Sequence, residues 1–138
     1  MPDRLTVRVE VARGDRVKRR PDGSIDFLTP FASPFAYGSV LNTIAPDGDP
    51  EDAVVLCANP RRGDCVEYPV WGRVLFTDAG LHDPKWVIGP RAPSADEWAR
   101  VESFFSRYAW AKRLLYTLRW SPKLVRFEGV ERASPSSG

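Results

Sequence analysis

The chain has little of what marks several common functional classes. It contains one His and two Cys in 138 residues, and Cys57 and Cys65 form neither a zinc motif nor a disulfide framework. Its apolar runs are far shorter than the roughly 20 residues that span a bilayer, and its N-terminus lacks the apolar core of a secretion signal. A formal net charge of +2 is too small to indicate binding to nucleic acid or membranes. We expect a cytoplasmic protein with reduced thiols.

The length and composition are typical of one globular domain. Hydrophobic residues make up 43% of the chain and charged residues 28%, and 138 residues are enough to bury a core. We expect residues 1–132 to form a single domain and the small, polar residues 133–138 to form a flexible tail.

Hydrophobic periodicity predicts many strands followed by one helix. Leu5–Val11 alternates apolar and polar residues, which predicts a strand with one buried face and puts Glu10 on the other face. Further strands are predicted at Val17–Arg20 and Ser24–Leu28 as a hairpin, and at Val54–Cys57, Val66–Phe76, Lys85–Ile88 and Val125–Glu128.

The helix is predicted from about Ala95 to about Tyr116. Ser94 and Glu97 have the spacing of a capping box, and apolar residues recur every three to four positions after them. This order of elements predicts a mainly β fold, an α+β arrangement in which a C-terminal helix packs on a β-barrel.

The most informative stretch is an acidic turn, Asp47–Asp52, which places four carboxylates in six residues just before an apolar run. Carboxylates this close repel one another unless a cation neutralises them. Oxygen ligands suit hard cations, Mg²⁺ in particular. The alternative is a solvated turn, because Asp, Gly and Pro are ordinary turn residues.

A second acidic turn strengthens the metal hypothesis. Asp78 and Asp83 lie five residues apart, and Lys85 follows before another short apolar run. Two such turns at one edge of a sheet would share a metal cluster, beside which Lys85 would face a phosphate.

The run from Asn42 to Leu56 resembles the signature of soluble family I inorganic pyrophosphatases, an Asp-x-Asp-Pro-x-Asp core with Asn-Thr before it. The spacing of Asp78, Asp83 and Lys85 resembles the second acidic motif of that family. The similarity extends from about Glu10 to Tyr108. The resemblance implies a closed, OB-like Greek-key β-barrel that hydrolyses inorganic pyrophosphate to two phosphates with several Mg²⁺ ions, and a possible homo-oligomer.

The resemblance also implies roles for individual residues. Asp49 would be the general base for a water that bridges two metal ions. The implied metal ligands are Glu10, Asp47, Asp52, Asp78 and Asp83, and the implied substrate contacts are Lys18, Tyr37, Lys85 and Tyr108. Three alternatives stay open: Asp49 bonds to its own turn, Tyr108 packs in the core, and Lys18 lies in a solvated hairpin.

Several positions depart from the family pattern on the phosphate side. Phe27 stands where the family has Arg, Ser33 where it has Tyr, and Ala109 where it has Lys. An Arg that stabilises transition-state charge contributes several kcal/mol to catalysis. The candidates to replace these contacts are Arg19, Arg20, Arg61 and Arg62.

These departures leave three functional hypotheses. The first is Mg²⁺-dependent hydrolysis of pyrophosphate. The second is a hydrolase of another phosphoanhydride, such as a nucleotide, because the departures remove charge where the second phosphate would bind. The third is a catalytically weakened module that binds phosphate. The small net charge and the lack of a basic aromatic stripe argue against nucleic acid.

Overall fold

The computed structural model describes residues 1–15, 17–19, 25–28, 33–46, 48–118 and 124–133, with the backbone alone at 17–19, 25–28 and 115–118. Nine strands and one helix, α1 (Ala95–Leu118), lie in this part of the chain. The strands are β1 (Arg4–Val11), β2 (Val17–Arg19), β3 (Ile25–Leu28), β4 (Ala36–Val40), β5 (Asp52–Val55), β6 (Cys65–Asp78), β7 (Leu81–His82), β8 (Lys85–Ile88) and β9 (Val125–Arg132).

Five of the strands close into a ring. They are hydrogen-bonded in the order β1–β4–β5–β8–β6, and β6 pairs again with β1. The β5–β8 pair is parallel, whereas the other pairs of the ring are antiparallel. The 14-residue β6 reaches several neighbours: its first half pairs with β1, and its second half pairs with β8 and β9. Closing the ring leaves its strands few open edges.

Alternation along the strands sends apolar side chains to two cores. Each ring strand contributes to the first, so this core fills the inside of the ring; it consists of Val7, Val9, Ala36, Val40, Ala53, Val55, Val70 and Ile88. The second core lies between the sheet and the helix. It joins Val54, Val74, Phe76, Val87 and Val125 to Trp98, Val101, Phe104, Phe105 and Ala109 of α1.

The helix begins as the sequence predicts. The amide of Glu97 donates to Oγ of Ser94 at 3.2 Å, and the amide of Ser94 donates to Oε1 of Glu97 at 3.0 Å, which is the capping box. Among the described helical residues, no stretch has the length and apolarity needed to span a membrane. The ring-like sheet with α1 packed on it confirms the mainly β fold with a C-terminal helix.

One strand of the ring was not predicted. β4 contains Gly38, and a glycine weakens the strand pattern because it has no side chain to pack. The structure shows why glycine is needed there: a Cβ at this position would lie 2.0 Å from the carbonyl oxygen of Arg8 on β1. The missing side chain lets β1 and β4 approach each other. Residues 134–138 of the predicted tail lie outside the described residues.

Candidate active site

The parallel β5–β8 pair brings two of the predicted site residues side by side. Asp52 pairs with Lys85, and Ser39 of β4 lies opposite Asp52. Paired residues point to the same face of a sheet, and so do residues two apart on a strand. The side chains of Ser39, Asp52 and Lys85 therefore share one face with Tyr37. Val54 and Val87, which pack beneath α1, lie farther along the same face.

Lys85 is the centre of the site. Its Nζ donates to Oδ2 of Asp52 at 2.8 Å and to Oδ2 of Asp83 at 2.5 Å, and the residue is only 3% exposed. The acidic turn before β5 and the acidic turn before β8 thus meet at one atom. Two carboxylates that are distant in the chain converge in space, as the metal hypothesis requires.

The electrostatics keep Lys85 charged and Tyr37 neutral. Burial by itself would lower the pKa of Lys85, but the negative charges of Asp52 and Asp83 raise it above its ordinary value. For Tyr37, burial and then the charge of Asp52 raise the pKa well above its ordinary value. At neutral pH the site therefore holds an ammonium and a phenol that both donate hydrogen bonds.

Aromatic rings form one wall of the site. Nζ of Lys85 lies 6.0 Å from the ring centroid of Tyr37 and 5.6 Å from that of Phe76, distances at which a cation is attracted to a ring. Tyr108 of α1 packs against Phe76 and Phe104, with centroids 5.7 and 5.9 Å away. The ring of Tyr108 thus packs with the core beneath α1, and the helix closes this side of the site.

Asp78 contacts a lysine that the sequence reasoning did not assign to the site. Nζ of Lys112 donates to Oδ2 of Asp78 and lies 5.3 Å from the ring centroid of Tyr108. Lys112 follows Tyr108 by four residues, so the two share one helix face. That spacing is the signal that would have placed Lys112 near the site.

The remaining acidic candidates, Glu10 and Asp49, differ in their burial and in their hydrogen-bond partners. Glu10 is partly buried on the face of β1 opposite Val9, and the hydroxyl of Ser39 donates to it. Ser39 thereby links Glu10 to the face that carries Asp52. Asp49 lies exposed in the turn, where its carbonyl oxygen accepts a hydrogen bond from the Ala45 amide at 2.6 Å.

Comparisons with known proteins identify the family. The sequence profile of the family described as inorganic pyrophosphatase matches residues 7–114. The chain belongs to the inorganic pyrophosphatase family. This finding confirms the resemblance seen in the two acidic motifs.

Individual relatives agree with this assignment. An inorganic pyrophosphatase of Gluconobacter oxydans is 31% identical over 111 residues, which are 75% of this chain and 64% of that protein. One of Geobacillus stearothermophilus is 34% identical over 93 residues, 58% of this chain and 56% of that protein. The chain thus spans less than two thirds of the length of these relatives. The crystal structure of the Thermus thermophilus enzyme superposes with a TM-score of 0.74 at 26% identity, covering 95% of this chain and 83% of that one.

Two of the departures from the family pattern are buried. Ser33 is buried, and its hydroxyl donates to the carbonyl oxygen of Phe35 at 2.6 Å. Ala109 is 1% exposed in the core beneath α1. Arg61 and Arg62 lie exposed in the turn that leads into β6.

Other predicted residues lie outside the described part of the chain or are described by their backbone alone. Asp47 and Arg20 lie outside the described residues, and Lys18, Arg19 and Phe27 are described by their backbone on β2 and β3. Their proposed roles stay predictions.

The donor atoms fit a hard divalent ion. Asp52 and Asp83 offer carboxylate oxygens, the ligands that Mg²⁺ prefers, and they already converge on a positive charge at Nζ of Lys85. In the described part of the chain, which omits Asp47, no three Asp, Glu, His or Cys side chains are grouped as metal ligands. Asp52 and Asp83 are the two acidic candidates that meet at one atom, Nζ of Lys85, and their role as metal ligands stays a prediction.

Proposed function

We propose that this protein hydrolyses inorganic pyrophosphate to two phosphates with the help of Mg²⁺. The observation that carries the proposal is the convergence of Asp52 and Asp83 on the buried ammonium of Lys85. Hydrolysis of a phosphoanhydride needs negative groups for metal ions and positive groups for phosphate at one place. Membership of the inorganic pyrophosphatase family supports this reaction.

The acidic residues would hold the metal ions. Asp52 and Asp83, with Asp47, would bind the first ion, and Asp78 with Glu10 would bind those that accompany the substrate. Divalent ions bound there supply positive charge to the phosphate oxygens and make a water more acidic.

The other side chains would bind the substrate and accept the proton of the attacking water. Lys85 stays charged at neutral pH and would bind a phosphate oxygen, whereas Tyr37 stays protonated and would donate a hydrogen bond to another. Lys18 and Tyr108 are the further proposed contacts. Asp49 lies in the exposed turn, where it would accept the proton of the attacking water as general base.

The test is phosphate release from pyrophosphate with and without Mg²⁺. Asp49→Asn should lower kcat by about 10²- to 10⁴-fold, the usual contribution of a general base. Asp52→Asn should raise the Mg²⁺ concentration needed for half-maximal rate. Glu102→Gln, on the exposed face of α1, is the matched control and should leave both unchanged. Wild-type activity no higher than that of Asp49→Asn would refute the proposal.

A second substrate class is favoured by one specific observation. Ser33 and Ala109 stand where the family pattern has Tyr and Lys, so the phosphate side of the site offers fewer polar contacts than that pattern provides. We propose hydrolysis of another phosphoanhydride as the alternative. A panel of pyrophosphate, ATP and ADP decides by kcat/KM: a large preference for pyrophosphate excludes the alternative. Phosphate binding without tight Mg²⁺ binding and without turnover of any of them would identify a weakened phosphate-binding module.

A further inference from the structure

A second cleft lies at the opposite end of β5 from Asp52. It has a volume of about 350 Å³ and lies between three parts of the chain. These are the end of β5, Pro34 and Phe35 just before β4, and the first turns of α1. The charged residues that line it are Arg13, Arg91, Arg100 and Glu97. The acidic residues and lysines of the candidate active site do not line this cleft, so the two sites are separate.

The charge of the cleft is positive. Three arginines and one glutamate line it, and the carboxylate is engaged: Oε1 of Glu97 accepts from Arg91 at 2.8 Å and from the Ser94 amide at 3.0 Å. Arg13 and Arg100 form no ion pair within the part of the chain that the structure describes. Two positive charges are thus left at the rim of a concave surface, an arrangement that attracts anions.

The thiol in the cleft does not offset this charge. Sγ of Cys57 lies 3.2 Å from Oε2 of Glu97. Burial and the neighbouring Glu97 raise the pKa of Cys57 to about 11. The thiol therefore stays protonated at physiological pH and donates to the carboxylate instead of adding a second negative charge.

The remaining wall is mostly apolar. Pro34 and Ala58 are partly exposed there, Phe35 and Leu56 are buried, and Asn59 adds one polar side chain. Small-molecule sites commonly combine an apolar surface with a few polar groups, in volumes of about 300–1,000 Å³. The cleft is at the lower end of that range, which suits one flat ring system carrying an anionic group.

We infer that this cleft binds a phosphate monoester that carries a flat ring, such as a nucleoside monophosphate. The guanidinium groups of Arg13 and Arg100 match the oxygens of a phosphate in charge and in bidentate geometry. Pro34 and Ala58, which are partly exposed, supply the apolar surface on which the ring packs. The site does not depend on the proposed hydrolysis, because it uses different residues and needs no metal ion.

The experiment is titration calorimetry of the full chain with AMP in EDTA, which removes divalent ions. We expect one AMP per chain, with inorganic phosphate and adenosine each binding at least about tenfold more weakly, because each lacks one half of the recognised chemistry. The Arg13→Ala/Arg100→Ala double variant should weaken AMP binding by about tenfold or more.

Two control variants separate this site from the others. Asp52→Asn changes the candidate active site and should leave AMP affinity unchanged. Arg4→Ala removes an arginine that does not line the cleft and should do the same. Because Arg13 and Arg100 are exposed, the double variant should unfold at the wild-type temperature, which verifies that it is folded.

Four results would overturn the inference. They are the absence of AMP binding at millimolar concentration, wild-type affinity in the double variant, loss of AMP binding in Asp52→Asn, and inorganic phosphate that binds as tightly as AMP.

Discussion

Removing the ammonium of Lys85 should leave Asp52 and Asp83 to repel each other. Two unit charges about 3 Å apart attract by about 6 kcal/mol at an effective dielectric constant of about 20, and Lys85 makes two such contacts, at 2.8 and 2.5 Å. Much of that attraction offsets the cost of dehydrating the charges. Deleting one partner of a buried ion pair typically costs about 3–5 kcal/mol. The carboxylate side chains are only 15% and 14% exposed, so water screens their repulsion weakly.

Urea unfolding and thermal unfolding, both in EDTA, measure the stability that is lost when this ammonium is removed. We expect Lys85→Met to lower the free energy of unfolding by about 3–5 kcal/mol and the unfolding temperature by about 10 °C or more. Arg4→Met is the matched control, because Arg4 and Glu67 are 53% and 58% exposed, and an exposed pair contributes about 0–1 kcal/mol. Adding Asp52→Asn to Lys85→Met should recover part of the loss, since it removes one of the two repelling charges.

Mg²⁺ should then act more strongly on the variant than on the wild type. Without the ammonium, Asp52 and Asp83 would bind the ion with no competing positive charge. An ion present at 100 times its Kd stabilises the folded state by about 2.7 kcal/mol. If Lys85→Met loses less than about 1 kcal/mol in EDTA, the buried charge network does not stabilise the fold. If Mg²⁺ stabilises both proteins equally, Lys85 does not compete for the metal ligands.

Three further predictions test other parts of the structure. Lys112→Met removes the charged hydrogen bond to Asp78 and should cost about 1.5–3 kcal/mol in urea unfolding; no loss would mean that the pair is not formed in solution. Ala109→Lys should cost about 3 kcal/mol or more, because position 109 faces the core; a variant of wild-type stability with tighter phosphate binding would place this position in the site. The pKa of Glu97 is lowered to about 2, chiefly by its bond with the Ser94 backbone, so its stabilisation is present above the ordinary pKa of 4.5 and is lost as the pH falls from about 4.5 to about 2. Glu97→Gln should flatten this part of the stability–pH curve, and an unchanged curve would contradict the assignment.

Local patterns predicted most of the fold. The alternation in Leu5–Val11, the capping box at Ser94 and Glu97, and the short apolar run at Lys85–Ile88 each report the conformation of neighbouring residues, and each is found in the structure. β4 was not predicted because the contact that explains its sequence is with another strand. Gly38 allows a close approach to Arg8 on another strand, and no periodicity in the sequence records that contact.

In the candidate site, too, some features follow from local motifs and others depend on how the elements pack. The acidic motifs indicated Asp52, Asp83 and Lys85, whose types and spacing are visible in the chain, and the structure brings these three side chains together. Neither the partner of Asp78 nor the orientation of position 109 follows from spacing within a motif. Lys112 reaches Asp78 because α1 packs on β6 and β9, and the same packing turns Ala109 into the core.

The sequence by itself determined which chemistry is available: hard oxygen ligands in two turns, a lysine beside the second, and a late helix. Tertiary structure alone decided which of these groups meet. The parallel pairing of β5 with β8 sets Asp52 beside Lys85, and the burial of that pair turns an ordinary lysine into a charge held between two carboxylates. The physical reason is that composition fixes the charges, whereas the distances between them, and the water that screens them, depend on how the chain closes on itself.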